Sequence, residues 1–361
     1  MKKKCVLIIA GGTGGHIFPA LAVARALREQ NIDLQWLGSY VGMESNLVGD
    51  EFPMSFISIR GIRGKHFFSK LCLPWRLLTA TWQAWRIIKR LQPDVVLGMG
   101  GFVSGPGGIA ARLAGKPLVI HEQNAIAGMT NRLLSRYAQA VLQGFPNAFP
   151  PAVSAKTIGN PVRPAISQLL SPQVRFKDRE GPLRVLVIGG SQGARAINQA
   201  ITRVLSHYPD DRALMVRHQT GGMDFEAIQH AYRHITVPST VEAFINDMPQ
   251  AYLWADLLIC RAGALTVAEI AAAGVPSILI PYPYAVDDHQ YANANYLAQA
   301  GAAELIRQQD LTDDRLQQIL QHYANNRFRL VIMAEKARSL AKPEALSAIV
   351  SVCQNLIKNP V

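Results

Sequence analysis

Three glycine-rich segments each follow a short apolar run and precede a segment with helical spacing of apolar residues. They are residues 11–16, 100–108 and 189–194. A glycine loop between a strand and a helix presents backbone N–H groups and a helix N-terminus to an anion. For any one segment the simpler interpretation is a tight turn, but the three together favour a site for phosphates or a nucleotide diphosphate.

Two histidines lie where proton transfer would be useful. His16 ends the first glycine segment, and imidazole is the side chain best suited to moving a proton near neutral pH. We therefore predict His16 to be the general base or to position an acceptor, although a structural bond to a loop carbonyl is nearly as good an interpretation. His121 ends a predicted strand and is the competing base.

The chain has 361 residues, which favours two domains. Apolar strands are predicted at 6–10, 34–38 and 95–99, and again at 184–188, 257–260 and 277–280. One helix is predicted at 19–27, and three further helices are predicted to end at residues 113, 205 and 273. Near-continuous apolar strands that alternate with helices indicate parallel sheets covered on both faces. We predict two doubly wound α/β domains facing a cleft, joined by the proline-rich residues 145–164.

Two common nucleotide-binding motifs are excluded. In a dinucleotide-binding loop the third glycine would fall on Ile17, and no acidic residue follows the second strand, where Gly38 and Ser39 stand instead. Gly115 and Lys116 are followed by a proline and lack the glycine spacing of a P-loop. The sequence therefore disfavours an oxidoreductase and a P-loop nucleotidase.

The sequence predicts neither a metal nor a cofactor. The four cysteines have no zinc-binding spacing, and no Asp-x-Asp pair is present. Asp287, Asp288 and His289 could bind a metal, but capping of the following helix is at least as good an interpretation. Helix N-termini and Arg163 would neutralise phosphates instead.

The net charge of +12 is concentrated in one part of the chain. Residues 52–177 contain 16 basic and only two acidic side chains. No nucleic-acid-binding motif accompanies them, which disfavours a nucleic-acid partner. The uneven charge instead predicts one basic face directed at an anionic partner.

An aromatic stripe lies within this basic region. After Pro74 the apolar residues Trp75, Leu78, Trp82 and Trp85 recur at helical spacing, and residues 60–90 contain eight basic and no acidic side chains. On the pattern alone a core-facing stripe with a solvated basic face is the preferred interpretation, and a peripheral contact with an anionic membrane surface is the alternative, which a lipid-linked substrate would favour. No apolar run is long enough to span a membrane.

Six motifs in order make a more specific signal. They are GGTGGH at 11–16, GMGGFVSGP at 98–106, HEQN at 121–124, GNPVR at 159–163, GGSQGA at 189–194 and RAGALTVAE at 261–269. This set closely resembles the N-acetylglucosaminyltransferases of peptidoglycan synthesis in glycosyltransferase family 28, essentially from end to end.

The resemblance implies a glycosyltransferase B fold and an inverting, metal-independent transfer. The donor would be UDP-N-acetylglucosamine, and the acceptor undecaprenyl-pyrophosphoryl-N-acetylmuramoyl-pentapeptide. The acceptor and membrane-facing domain would comprise 1–160 and about 342–361, with a C-terminal helix at about 344–357, and 161–341 would bind the UDP-sugar. A peripheral protein of peptidoglycan synthesis and cell division, at the cytoplasmic face of the bacterial inner membrane, is implied.

The resemblance also implies roles for individual residues. Ser191 would face the donor phosphates, Arg163 the nucleotide and Glu269 the ribose hydroxyls. Ile245 would offer backbone groups to uracil. The ribose and sugar would be lined by Ala264, Leu265, Thr266, Val267 and Ala268. N-acetylglucosamine would be contacted by Gln290 and Asn124. From the first domain, the donor would be contacted by Thr13, Gly14 and Gly15.

Other functions remain open on sequence alone. Within the fold, a UDP-N-acetylglucosamine epimerase or a diacylglycerol glucosyltransferase would use a similar donor site. A protein of another class, a membrane-surface sensor of nucleotide sugars, would bind the donor without turnover. An assay with donor and lipid-linked acceptor separates them.

Overall fold

The computed structural model describes residues 3–59, 73–190 and 193–359. The chain forms two compact units, Met1–Pro161 together with Lys342–Val361, and Val162–Ala341. The strands are β1 (Cys5–Ile9), β2 (Asp33–Ser39), β3 (Met54–Ile57), β4 (Val95–Gly98), β5 (Leu118–Glu122), β6 (Ala140–Gln143), β7 (Lys156–Thr157), β8 (Leu183–Ile188), β9 (Leu214–Gln219), β10 (Ser239–Glu242), β11 (Leu257–Cys260), β12 (Ser277–Leu279) and β13 (Ala303–Leu305).

Helices connect these strands. They are α1 (Gly14–Glu29), α2 (Glu44–Val48), α3 (Leu73–Leu91), α4 (Ser104–Leu113), α5 (Met129–Leu134), α6 (Pro164–Ser167), α7 (Pro172–Phe176), α8 (Arg195–Ser206), α9 (Phe225–Tyr232), α10 (Met248–Trp254), α11 (Ala264–Ala273), α12 (His289–Gln299), α13 (Asp313–Asn325), α14 (Arg327–Ser339) and α15 (Ala345–Lys358). Three 3-10 turns lie at Gly49–Glu51, Val286–Asp288 and Gln308–Asp310.

Each unit contains one parallel sheet. The strand order is β3-β2-β1-β4-β5-β6-β7 in the first unit and β10-β9-β8-β11-β12-β13 in the second. In both orders the direction of winding reverses beside the first strand, between β1 and β4 and between β8 and β11. Ligands of doubly wound folds bind at the carboxyl ends of the strands at such a switch point. The predicted fold class, two Rossmann-like α/β domains, is confirmed.

Packing on both faces of each sheet explains why the residues of the strands are nearly all apolar. Along β1, Val6 and Ile8 face one cluster of buried side chains, and Leu7 and Ile9 face another on the opposite side of the sheet. Both faces are therefore covered, as parallel sheets require. The second sheet buries Val185 and Val187 of β8 against α8 and α13 in the same manner.

The C-terminal helix α15 belongs to the first unit. Its side chains Ile349, Cys353 and Ile357 join the buried cluster that contains Val6 and Ile8. These residues are spaced four apart, so they lie on one stripe of the helix. The first unit is therefore discontinuous in sequence.

Two expectations about boundaries were wrong. The first helix begins at Gly14 rather than near residue 19, so Gly14, Gly15 and His16 form its first turn. The proline-rich residues 145–164 are mostly not a linker. Phe145 and Phe149 are buried, and β7 pairs with β6 in the first sheet.

None of the helices within residues 3–59, 73–190 and 193–359 has the length and apolar character needed to cross a bilayer. The same part of the chain holds no cluster of three or more His, Cys, Asp or Glu side chains suited to a metal ion.

Candidate functional site

A buried carboxylate holds the glycine loop of the first unit. Glu44 is fully buried, and its Oε2 accepts from the Gly12 N–H at 3.2 Å. Its Oε1 accepts from the Ser39 N–H at 2.6 Å and the Ser39 hydroxyl at 2.8 Å. A Cβ on Gly42 would lie 1.7 Å from Glu44 Oε2, so glycine is required there. The loop after β1 is therefore already bound to an anion.

The loop after β4 lets His16 approach closely. Gly100 has φ +98°, and a Cβ there would lie 2.5 Å from His16 Nδ1. Gly101 has φ +83°, and its Cβ would lie 2.1 Å from the Gly11 carbonyl oxygen. Both positions therefore need glycine for sterics and for conformation. The two loops at this switch point pack against each other around a half-buried imidazole.

His16 contacts the motif at 121–124. Its Nδ1 lies 2.9 Å from Gln123 Oε1, and Gln123 also binds the fully buried His121. Burial lowers the pKa of His121, so its imidazole is neutral, although the Gly159 carbonyl and Glu122 oppose the shift. The structure thus places the two candidate bases in one hydrogen-bonded group. His121 is sealed from solvent, whereas His16 is partly exposed.

Asn124 is held by its neighbour Glu122. Glu122 Oε1 accepts from the backbone N–H of Asn124 at 2.9 Å and from its side-chain nitrogen at 3.2 Å. Glu122 Oε2 accepts from Gly128 N at 3.1 Å and Asn131 Nδ2 at 2.8 Å. One buried carboxylate therefore organises the whole turn after β5.

In the second unit a carboxamide holds the glycine loop. Gln219, at the end of β9, accepts from the Gly190 N–H at 3.1 Å and donates to the Gly190 carbonyl at 2.9 Å. It also donates to the Ala243 carbonyl at 3.1 Å. Gly193 has φ +78°, and a Cβ would lie 2.7 Å from the Thr220 carbonyl oxygen. Gln219 thereby joins the ends of three neighbouring strands.

A cavity of about 710 Å³ opens at this switch point. Arg261 lines it and donates to the Ile280 carbonyl at 3.1 Å and to Gln308 Oε1 at 2.6 Å. Burial lowers the pKa of Arg261, but a guanidinium remains charged in proteins. Gln290 accepts through Oε1 from the N–H groups of Ala262 (3.3 Å) and Tyr282 (3.0 Å). The cavity lining also includes Gly189, Gly190, Gly193, Ala194, Arg195, Ala196, Gln199, Met223 and Asp224.

Arg163 and Glu269, two predicted nucleotide contacts, bind each other. Arg163 donates through Nη2 at 2.9 Å and Nε at 3.1 Å to the same carboxylate oxygen. Tyr252 donates to the other oxygen at 3.1 Å. Burial raises the pKa of Glu269, and the two interactions with Arg163 oppose that shift. The ion pair considered as the structural alternative for Glu269 is therefore present.

The residues around Glu269 differ in what they can offer a ligand. Gly263 caps α11, and the first-turn N–H groups that start at Ala264 have no partner within the helix. Leu265, Thr266 and Ala268 are partly exposed, whereas Val267 is fully buried. Ile245 is also buried, so only backbone groups of Val267 and Ile245 remain for a ligand.

The predicted site residues divide between the two units, and among the described donor contacts Gln290 lines the cavity at the second switch point, whereas Arg163, Ile245 and residues 264–269 do not. Thr13, Gly14, Gly15, His16 and Asn124 lie in the first unit, where Thr13 is the N-cap residue of α1. Arg163, Ile245, residues 264–269 and Gln290 belong to the second unit. Ser191 lies outside the described residues, as do Arg60, Arg63, Lys65 and Lys70 of the basic segment.

Several side chains that build these sites were not predicted from the sequence. Glu44 could have been suspected from the glycines that surround it, and Arg261 from its place directly after an apolar strand. Gln123 lies in the HEQN motif, between the two candidate residues His121 and Asn124. Gln219 carries no comparable signal, because an amide that binds backbone groups follows no motif.

The two parallel sheets, each with a glycine loop beside its switch point, define a doubly wound α/β class of protein. Residues 6–143 match the glycosyltransferase family 28 N-terminal domain and residues 184–349 the C-terminal domain of that family. The chain belongs to glycosyltransferase family 28.

Several relatives resemble the chain over nearly its whole length. A Coxiella burnetii (strain RSA 331) protein named UDP-N-acetylglucosamine--N-acetylmuramyl-(pentapeptide) pyrophosphoryl-undecaprenol N-acetylglucosamine transferase is 55% identical over 97% of this chain and 98% of its own. A Marinobacter nauticus protein of the same name is 51% identical over 96% of both chains. The crystal structure of Acinetobacter baumannii MurG superposes with a TM-score of 0.87 at 43% identity, over 98% of this chain and 99% of that one.

Proposed function

We propose that this protein transfers N-acetylglucosamine from UDP-N-acetylglucosamine to N-acetylmuramoyl-pentapeptide on undecaprenyl pyrophosphate. The observation that carries the proposal is the 55% identity, over nearly both full lengths, to relatives named for this reaction. The cavity beside a glycine loop and Arg261 in the second unit supports a nucleotide-diphosphate donor.

The chemistry is a single displacement with inversion, which yields a β1,4 linkage. The C4 hydroxyl oxygen of the acceptor sugar attacks the anomeric carbon of the donor, and the bond from that carbon to the diphosphate breaks. UDP leaves with the electron pair. His16 takes the hydroxyl proton, because it is the partly exposed imidazole at the switch point of the first unit, whereas His121 is sealed.

The second unit stabilises the departing diphosphate. Arg261 brings a positive charge to the cavity, and the loop ending at Gly193 leads into α8, whose N-terminus favours negative charge. Asp224 is the only carboxylate among the described cavity residues, so the lining suits a cationic cradle rather than a divalent ion. Glu269, held by Arg163, would accept the ribose hydroxyls, and Gln290 would contact N-acetylglucosamine.

The activity test uses the full chain, UDP-N-acetylglucosamine and a lipid-linked acceptor analogue. We expect UDP release that requires the acceptor and a disaccharide product with a β1,4 linkage. Release or isomerisation of the sugar without acceptor would instead indicate an epimerase. Transfer to diacylglycerol would indicate a glucosyltransferase, and donor binding without turnover a sensor. Each of these three results would contradict the proposal.

A second proposal concerns the surface of α3 and an anionic membrane. The stripe predicted from sequence divides in the structure: Trp75, Leu78 and Trp82 are exposed, at 74%, 62% and 56%, whereas Trp85 packs partly into the core. The core-facing side of the helix instead consists of Ala80, Ala84 and Ile88.

Exposed basic side chains lie on the same helix as these apolar residues. The Arg86 guanidinium lies 4.8 Å from the centre of the Trp82 ring, and Arg76 and Arg90 are exposed on the same helix. Aromatic residues that enter the headgroup region beside basic residues are typical of peripheral membrane contacts. A polyprenyl-linked acceptor would require such a contact, at the cytoplasmic face of the inner membrane.

Vesicle binding tests the membrane proposal. Charge reversal at Arg76, Arg86 and Arg90 should weaken binding to phosphatidylglycerol vesicles by roughly 100-fold at low salt, since each basic side chain contributes about 1 kcal/mol near an anionic surface. The matched control reverses three exposed arginines of the second unit, Arg212, Arg233 and Arg329. Equal binding to neutral and anionic vesicles, or equal loss in the control, would contradict the proposal.

A further inference from the structure

Four groups of the first unit form a continuous chain of hydrogen bonds. The Gly159 carbonyl oxygen lies 3.0 Å from His121 Nε2, and His121 Nδ1 lies 3.0 Å from Gln123 Nε2. Gln123 Oε1 in turn lies 2.9 Å from His16 Nδ1. His121 and Gln123 are 0% and 1% exposed, so water does not compete for these bonds.

Two backbone carbonyls fix every proton in this chain, because a carbonyl only accepts. The Gly159 carbonyl requires a proton on His121 Nε2. Burial lowers the pKa of His121, so the ring is neutral and its Nδ1 must accept. The end of the Gln123 amide that faces His121 is therefore its NH₂ group.

A second contact fixes the Gln123 amide independently. The same nitrogen lies 3.3 Å from the backbone carbonyl of His121, which also only accepts. The opposite assignment would place an amide oxygen against that carbonyl, and it would also require a charged His121 in a fully buried position. Gln123 Oε1 therefore faces His16 and accepts from its Nδ1–H.

We propose that His121 and Gln123 are positioning residues that hold the proton of neutral His16 on Nδ1 and keep Nε2 free to accept one. This deepens the proposed function and rests on it, since His16 is the base of that reaction. Among the described residues, Nε2 has no protein hydrogen-bond partner in the structure. Gly100 lies against the Nδ1 edge of the ring, and a Cβ there would come within 2.5 Å of Nδ1, so the glycine permits this ring position.

The proton transfer follows directly. The acceptor O–H bond breaks as the oxygen attacks the donor, and a new N–H bond forms at His16 Nε2. The resulting imidazolium keeps its Nδ1–H bond to Gln123 Oε1, and this bond becomes stronger because the donor is now charged. No proton passes along the chain, because the Gln123 amide does not ionise.

Two substitutions at Gln123 separate positioning from simple packing. Gln123→Met preserves the approximate shape but removes both hydrogen bonds, and we expect kcat to fall by about tenfold or more with an unchanged KM for the donor. Gln123→Glu keeps an oxygen that accepts from His16, whether the carboxyl is ionised or protonated. It should therefore retain a higher kcat than Gln123→Met.

A packing role predicts the opposite order, since a buried acid disturbs a core more than methionine does. The matched control is Gln143→Met, at another buried glutamine of the same unit, which binds Thr157 and Phe149. It should lower stability and leave kcat unchanged. Wild-type kcat in Gln123→Met, or a lower kcat in Gln123→Glu than in Gln123→Met, would overturn the inference.

Nitrogen NMR determines the tautomer of His16 without an activity assay. Long-range nitrogen–proton spectra distinguish protonated from bare ring nitrogens, and the His16→Gln variant assigns the signals. We expect a bare Nε2 on His16 in the wild type and a shift towards Nε2–H in Gln123→Met. A protonated Nε2 in the neutral wild-type ring would overturn the inference. Failure of the transferase assay would reject the proposed function, whereas this spectrum would still decide the tautomer.

Discussion

Both units place a glycine loop at the switch point of a parallel sheet, but different groups hold the two loops. In the first unit the buried Glu44 carboxylate accepts from the Gly12 N–H. In the second unit the neutral Gln219 carboxamide binds Gly190, and Arg261 lines the cavity beside the loop. The first loop is therefore occupied by an anion of the protein itself, whereas the second remains electropositive.

This difference shows that a glycine loop does not by itself specify phosphate binding. A carboxylate beside the loop N–H groups repels a phosphate, and a cation beside them attracts it. The two loops therefore differ in the charge that they would present to a ligand. The two units also use buried histidines differently, because His121 connects through Gln123 to His16, while His218 binds Tyr232 and Asn198.

Removal of the proposed base, His16, should have the largest effect among the tests of this difference between the two units. His16→Ala should lower kcat by about 10² to 10⁴-fold, the usual contribution of general acid–base catalysis, and leave donor affinity unchanged. Steady-state kinetics and calorimetric titration with UDP measure the two effects. The control is His207→Ala at an exposed histidine of the second unit. Turnover by His16→Ala close to the wild-type rate would show that the base is another group.

Removal of the loop-holding carboxylate should destabilise the first unit. Glu44→Ala leaves two buried donors of Ser39 and one partly buried donor of Gly12 unpaired and opens a cavity, so the free energy of unfolding should fall by about 3 kcal/mol. Urea denaturation measures it. Glu51→Ala removes only partly exposed ion pairs to Arg25 and Arg28 and should cost about 1 kcal/mol or less. Equal losses in the two variants would contradict the role of Glu44.

Glu269 tests whether its partly exposed ion pair with Arg163 also serves donor binding. Glu269→Ala should raise KM for the UDP-sugar by about tenfold through the loss of a charged acceptor for hydroxyls. The matched control is Glu304→Ala, which removes a carboxylate that accepts from Tyr323 at 2.8 Å in the same unit. Unchanged KM with a lower melting temperature in Glu269→Ala would support a purely structural pair with Arg163.

The smallest expected effect is a pH dependence of stability from His218. Burial lowers the pKa of His218 from 6.5 to about 3, so the unfolded chain takes up a proton that the folded state refuses. Its contribution is present above pH 6.5 and is lost as the pH falls, by about 1.4 kcal/mol per pH unit for one proton. His218→Gln should reduce the slope of unfolding free energy between pH 6.5 and 5 by this amount. An unchanged slope would show that His218 is protonated in the fold.

The sequence determined the strands and the fold class, because near-continuous apolar runs between helices leave few alternatives to parallel sheets. β11 was predicted with its observed bounds at 257–260. Helix α1 was predicted to start too late, because glycines in its first turn hide the boundary that propensity would mark. The motif set also identified His16, which remains a predicted base.

Only the tertiary structure decided how these residues are held. The partnership of Glu44 with Gly12, of Gln123 with His16 and of Arg163 with Glu269 joins positions 32, 107 and 106 residues apart. No local pattern encodes such pairs, because they form only where segments distant in the chain come together in the folded units. The exposure of Trp75 and the burial of Ala84 were likewise decided by which side of α3 packs on the core, since a stripe of aromatic residues suits both a core and a membrane surface.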